Sequence, residues 1–170
     1  MSSNSPADLV RHLIATLAYR AAKVLRDCPP GFADLTASVP ARAPVQILAH
    51  MGDLIAWANR LMETGEFVWR AEGTADWDTE VRRFFDGLAA LDRAVASGGV
   101  PVDRAQKLIQ APLADALTHV GQLAMLRRAA GAPVRPESYA RADIVAGRVG
   151  LEQSPPGREF DGDASARSRT

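Results

Sequence analysis

Three residues in this chain have the type and spacing to do chemistry together. His50 falls in the helical stretch Pro44–Thr64, about 80° from the centre of its apolar stripe, which places it on the rim of a core. Asp115 and His119 are four residues apart in a later helical stretch, so they share one face. Two imidazoles and one carboxylate on rigid helices suit a divalent metal, with zinc the commonest choice and nickel or Fe(II) able to use the same donors. An open coordination position can take water, or a thiolate, and lower its pKa. The same residues have plainer readings: a rim histidine held by a hydrogen bond, and an Asp–His salt link. Asp53 and Trp57 follow His50 on the same side, where they can orient a ligand and wall a pocket; a solvated Asp and a packing Trp are the alternatives. Gln122 is a further pocket candidate. No general acid or base can be assigned, so the catalytic residues are left unassigned.

The elements that carry these residues read as four helices. Helix 1 starts at Ser5 as N-cap, with Pro6 in the first position and Asp8 at the positive end of the dipole, and Cys28-Pro29-Pro30-Gly31 stops it. Its apolar stripe is Leu9, Val10, Leu13, Ile14, Leu17, Ala21, Val24 and Leu25. Residues 32–43 read as a loop. Helix 2 carries Ile47, Met51, Leu54, Ala58 and Leu61 at alternating spacings of four and three, a bundle seam, and ends at Thr64-Gly65. The connection 66–75 is long for a helical hairpin and predicts a crossover between parallel helices. Helix 3, capped by Asp76, repeats the seam with Trp77, Val81, Phe84, Leu88, Leu91 and Val95. Helix 4 spans Pro112 to Ala130, or starts earlier near Asp103, and stops at Gly131-Ala132-Pro133. Residues 1–150 thus form one bundle domain with a short extension, and the polar composition of 151–170 predicts a disordered tail.

Composition narrows the class of function. Lys+Arg and Asp+Glu each total 20, which argues against the basic face of a nucleic-acid binder and against clinging to anionic lipid. No apolar run approaches the roughly 20 residues of a membrane span, and no secretory signal pattern opens the chain. The single cysteine, Cys28, fits a reducing cytoplasm and reads as an unactivated thiol. His12 and Tyr19 share the face opposite helix 1's stripe: His12 reads as solvated, and Tyr19 as free or facing a partner chain. Arg127 and Arg128 can hold a substrate carboxylate, or complement the dipole in the last turn.

Two segments add a resemblance. Ile47-Leu48-Ala49-His50-Met51-Gly52-Asp53-Leu54 resembles the second-helix histidine segment of the DinB/YfiT-like superfamily, and Asp115-Ala116-Leu117-Thr118-His119-Val120-Gly121-Gln122 resembles its fourth-helix segment, usually His-x-x-x-His-x-Gly-Gln. The resemblance spans most of residues 5–131. It implies an all-α, up-down-down-up four-helix bundle with a metal held by His50, Asp115 and His119. It implies a metal-dependent enzyme that activates a low-molecular-weight thiol, such as mycothiol or bacillithiol, for S-transfer or isomerisation, and it implies a homodimer. Asp115 departs from the commonest pattern; the related mycothiol-dependent maleylpyruvate isomerases carry Glu at that place. A metal-dependent hydrolase, and a non-catalytic binding or stress-related bundle with a vestigial site, are the alternatives.

Overall fold

The computed structural model describes residues 5–36 and 42–160. Among them the chain is all-helical: α1 (Pro6–Leu25), α2 (Pro44–Thr64), α3 (Trp77–Gly98), α4 (Val102–Leu108) and α5 (Ala114–Ala129). A π-helical turn, Ile109–Leu113, joins α4 to α5, so the fourth long helix runs on from Val102. Two short 3-10 turns, Phe32–Asp34 and Tyr139–Arg141, lie outside the long helices. No helix among the described residues is long and apolar enough to cross a membrane.

The helix starts follow from local chemistry. Ser5 Oγ accepts from Asp8 N while Asp8 Oδ2 accepts from Ser5 N, a reciprocal capping box. Asp76 Oδ1 accepts from Thr79 N at 2.8 Å and opens α3. Gly65, at φ 77, closes α2 in the left-handed conformation that glycine adopts without steric cost. Pro112 lies inside the fourth helix, not at its start. Proline has no N–H and crowds the carbonyl four residues back, and the wider π turn around it accommodates the defect without breaking the helix.

The seams pack as their spacing predicts. Met51, Leu61, Phe84, Leu88, Leu91, Leu113 and Leu123 are fully buried in one core. Leu9 is the exception in α1's stripe, at 56% exposed. Between α2 and α3 the pairs rise together in number: Asp53 with Arg83, then Asn59 with Gly87. Between α2 and the fourth helix they run in opposite order: Met62 with Arg104, then His50 with Asp115. Arg11 near the start of α1 meets Asp92 near the end of α3, and Arg127 at the end of α5 meets Val24 near the end of α1.

The chain after α5 differs from its sequence reading. Glu137 pairs with Glu159 in an isolated antiparallel bridge, Phe160 N donates to Pro136 O, and Lys23 reaches both glutamates at 2.7 Å. Within residues 151–160, Glu159 reaches Lys23 on α1, while Gln153 and Ser154 find partners close by in Asp143, Arg148 and Gly150. Residues 161–170 lie outside the described residues. The same arm covers Tyr19, whose hydroxyl donates to Glu137 and whose ring meets Tyr139 edge-on, so Tyr19 is neither free nor facing solvent.

Candidate metal centre

α2 and α5 bring His50, Asp115 and His119 to one place. Each offers one ligand atom, and those atoms lie within 4.8 Å of one another. His50 Nε2 is 3.5 Å from Asp115 Oδ2, and His119 Nδ1 is 3.3 Å from Asp115 Oδ1. The imidazole centroids are 4.8 Å apart. Asp115 is 46% exposed at its side chain, against 25% for His50 and 12% for His119, so the group sits at a rim.

The donor set fits a metal. His119 Nδ1 lies 2.8 Å from the backbone carbonyl of Asp115. A carbonyl can only accept, so Nδ1 carries the proton of that bond and Nε2 keeps a lone pair. Histidine ligands are commonly oriented in this way. Tetrahedral zinc spaces its ligand atoms by roughly 3.5 Å. The 3.5 Å between His50 Nε2 and Asp115 Oδ2 matches that spacing.

The crossover between α2 and α3 supplies the wall. Trp69 lies against His50 with centroids 5.5 Å apart, and Trp57 lies between Trp69 at 5.9 Å and Phe67 at 4.7 Å. Two grooves flank the triad. One, about 450 Å³, is lined by Leu54, Trp57, Gln110, Ala111 and Asp115; the other, about 390 Å³, by Gln46, Ala49, His50, Asp53 and Thr74.

Asp53 lines a groove but is already engaged. Its Oδ1 accepts from Arg83 Nη1 at 2.9 Å and from Glu72 N at 3.0 Å. Arg83 also donates to Glu80 and to Ala49 O, and Glu80 accepts from Thr74 N. This network ties residues 72–74 of the crossover to α2 and α3, one turn from His50. Trp57 lines the larger groove. Gln122 is exposed on α5. His12 is exposed, as its place on α1 suggests.

Three features escaped the sequence. Trp69 comes from a stretch without helical periodicity, where the short apolar run Phe67-Val68-Trp69 is the only signal. Glu80 and Asp92 are buried acids on α3, visible only once Arg83 and Arg11 are placed beside them. Arg127 neither holds a substrate nor simply faces the dipole. It is buried and donates to the carbonyls of Val24, Arg26, Asp27 and Ala132, capping the end of α1 from another helix. Cys28 is half-buried beside it. Burial pushes its thiol up, which keeps it protonated and unreactive.

Comparison of the chain with family models, with curated proteins and with solved structures gives no match.

Proposed function

We propose that the chain is a metal-dependent enzyme of the DinB-like group, acting on a low-molecular-weight thiol by S-transfer or isomerisation. The observation that carries this reading is the convergence of His50, Asp115 and His119, with Nδ1 of His119 committed to a carbonyl and Nε2 left to bind. The bundle order is read as up-down-down-up, supported by contact pairs that rise together between α2 and α3 and oppose each other between α2 and the fourth helix.

A divalent ion held there, zinc first and nickel or Fe(II) next, supplies a Lewis acid that makes a thiol a thiolate at neutral pH. The chain's own residues do the rest. His50 and His119 fix the donor positions, Trp69 shields one side of His50 from water, and the Asp53–Arg83–Glu80 network holds the crossover in place. Two grooves meeting at one triad leave room for a thiol and a second substrate together, which favours transfer over hydrolysis.

A second reading is a bundle that keeps a vestigial site. It is favoured by Asp115, which is half exposed and already at salt-bridge distance from both imidazoles. The test is a screen of the zinc- and nickel-loaded protein for consumption of mycothiol, bacillithiol or glutathione with aryl halide, epoxide and unsaturated-acid acceptors, beside His50→Ala. Metal-dependent thiol consumption that His50→Ala abolishes supports the enzyme. Loaded protein that consumes no thiol but hydrolyses esters or amides would move the assignment to a hydrolase. No turnover with any acceptor supports the vestigial site.

A further inference from the structure

The larger groove has features that a metal centre alone does not require. It starts at Asp115 and runs along the fourth helix past Ala111 and Gln110. Lys107, one turn before Gln110 on the same face, stands beyond it with Nζ 5.7 Å from the centroid of Phe67. From Asp115 to Lys107 is roughly 12 Å along the helix. Trp57 forms the opposite wall, backed by Phe67 and Trp69, and these two are 40% and 46% exposed. Large aromatics are left open to water here, while Phe32, Phe84 and Phe85 are buried in the core. Trp57 Nε1 is buried and has no hydrogen-bond acceptor among the described residues. An aromatic wall thus runs along the groove, and one cation stands a turn beyond its end away from the triad.

We propose that this groove is the subsite for a small aromatic carboxylate, its ring against Trp57 with Phe67 and Trp69 backing that wall, its carboxylate toward Lys107 and its reactive end at the His50–Asp115–His119 triad. Stacking favours a flat ring over a branched aliphatic group. The ammonium at the far end selects an anion and fixes which end of the ligand reaches the triad. The chemistry of this subsite rests on the metal-dependent reading, but its binding does not: Trp57 and Lys107 are no part of the triad, and Asp115 alone is shared by groove and triad.

The experiment is calorimetric and tryptophan-fluorescence titration of the full chain with 3-phenylpropanoate, with its neutral counterpart 3-phenylpropan-1-ol, and with hexanoate. The proteins are the wild type, Lys107→Ala, Trp69→Ala and His50→Ala, none of which removes a fully buried side chain. The expected result is saturable, millimolar or tighter binding of 3-phenylpropanoate. Lys107→Ala weakens it about five- to tenfold and leaves the alcohol unchanged; Trp69→Ala weakens both aryl ligands. Hexanoate binds more weakly, and His50→Ala binds as the wild type does. No saturable binding of 3-phenylpropanoate overturns the proposal, as does binding that Lys107→Ala and Trp69→Ala leave untouched. Zinc uptake without aryl binding overturns this subsite and spares the metal reading; aryl binding without zinc uptake does the reverse.

Discussion

At the start of α5, Asp115 faces two imidazoles at 3.3 and 3.5 Å, with nearly half of its side chain in water. At the other end of α5, about 18 Å away along the axis, Arg127 is buried and spreads its donors over four backbone carbonyls. Beside it, Glu137 takes one bond from Tyr19 and one from Lys23, each at 2.7 Å. Both ends gather charged and polar groups from distant segments of the chain. They differ in how far the protein itself satisfies them. Where every donor and acceptor is matched and water is excluded, the groups lock helices and arm together and have nothing left to offer a ligand. Where lone pairs remain and the rim is open, the same residue types are available for chemistry.

The pKa shifts follow the same division. Burial acts to raise the carboxyl of Glu137, but hydrogen bonds from Lys23 and Tyr19 outweigh it and hold the group below its usual value. Burial acts to lower Lys23, but Glu137 and Glu159 hold it above its usual value. Burial first, and then the bond to Glu137, push the Tyr19 hydroxyl far up.

The comparison can be broken most severely at the closed end. Arg127→Ala leaves the end of α1 uncapped and is expected to cost about 3 kcal/mol, a fall in Tm of about 10 °C by calorimetry. A loss below roughly 0.5 kcal/mol would mean that water serves those carbonyls equally well. Glu137→Gln keeps the shape but strips the negative charge from beside Lys23, and is expected to cost about 2 kcal/mol in urea unfolding.

The sign of the pH dependence is set by the same groups. Glu137 has a folded pKa below its ordinary 4.5, so its contribution is present above 4.5 and is lost as pH falls through the folded value. Lys23 has a folded pKa above 10.5, so its contribution is present below 10.5 and is lost as pH rises through the folded value. Urea midpoints measured from pH 3 to 6 should therefore fall on acidification, and more steeply in the wild type than in Glu137→Gln. Parallel curves would remove Glu137 from the account.

At the open end the expected effect on stability is the smallest. His50→Ala and Asp115→Ala should each shift metal-free stability by no more than about 1 kcal/mol, because neither side chain is fully buried or holds a strong bond. A loss of 3 kcal/mol in metal-free protein would make the triad a structural element instead.

Most of the helical frame was legible in the sequence, since four-three spacing and caps are local signals: Ser5, Asp76 and Gly65 act as their types predict. His50, Asp115 and His119 were legible too, because each lies at a helix rim and one pair shares a turn. What depended on contacts between distant segments was not. The sequence puts the start of the fourth helix at Pro112 or earlier near Asp103; α4 begins at Val102, as the earlier start has it, and the π turn that tolerates Pro112 leaves no mark in composition. Glu159 looked like part of a polar tail because its partner Lys23 is far away in the chain. Gln122 followed the pattern of the fourth-helix segment but turns to solvent, and Trp69 entered the site from an aperiodic crossover.

The central claim is that the open end binds a metal, and elemental analysis of untagged protein beside His119→Ala tests it most directly. The account predicts about one equivalent of zinc, nickel or iron per chain in the wild type, lost in the variant. No metal in the wild type after incubation with excess zinc or nickel would contradict it and leave Asp115 as a salt link between two histidines.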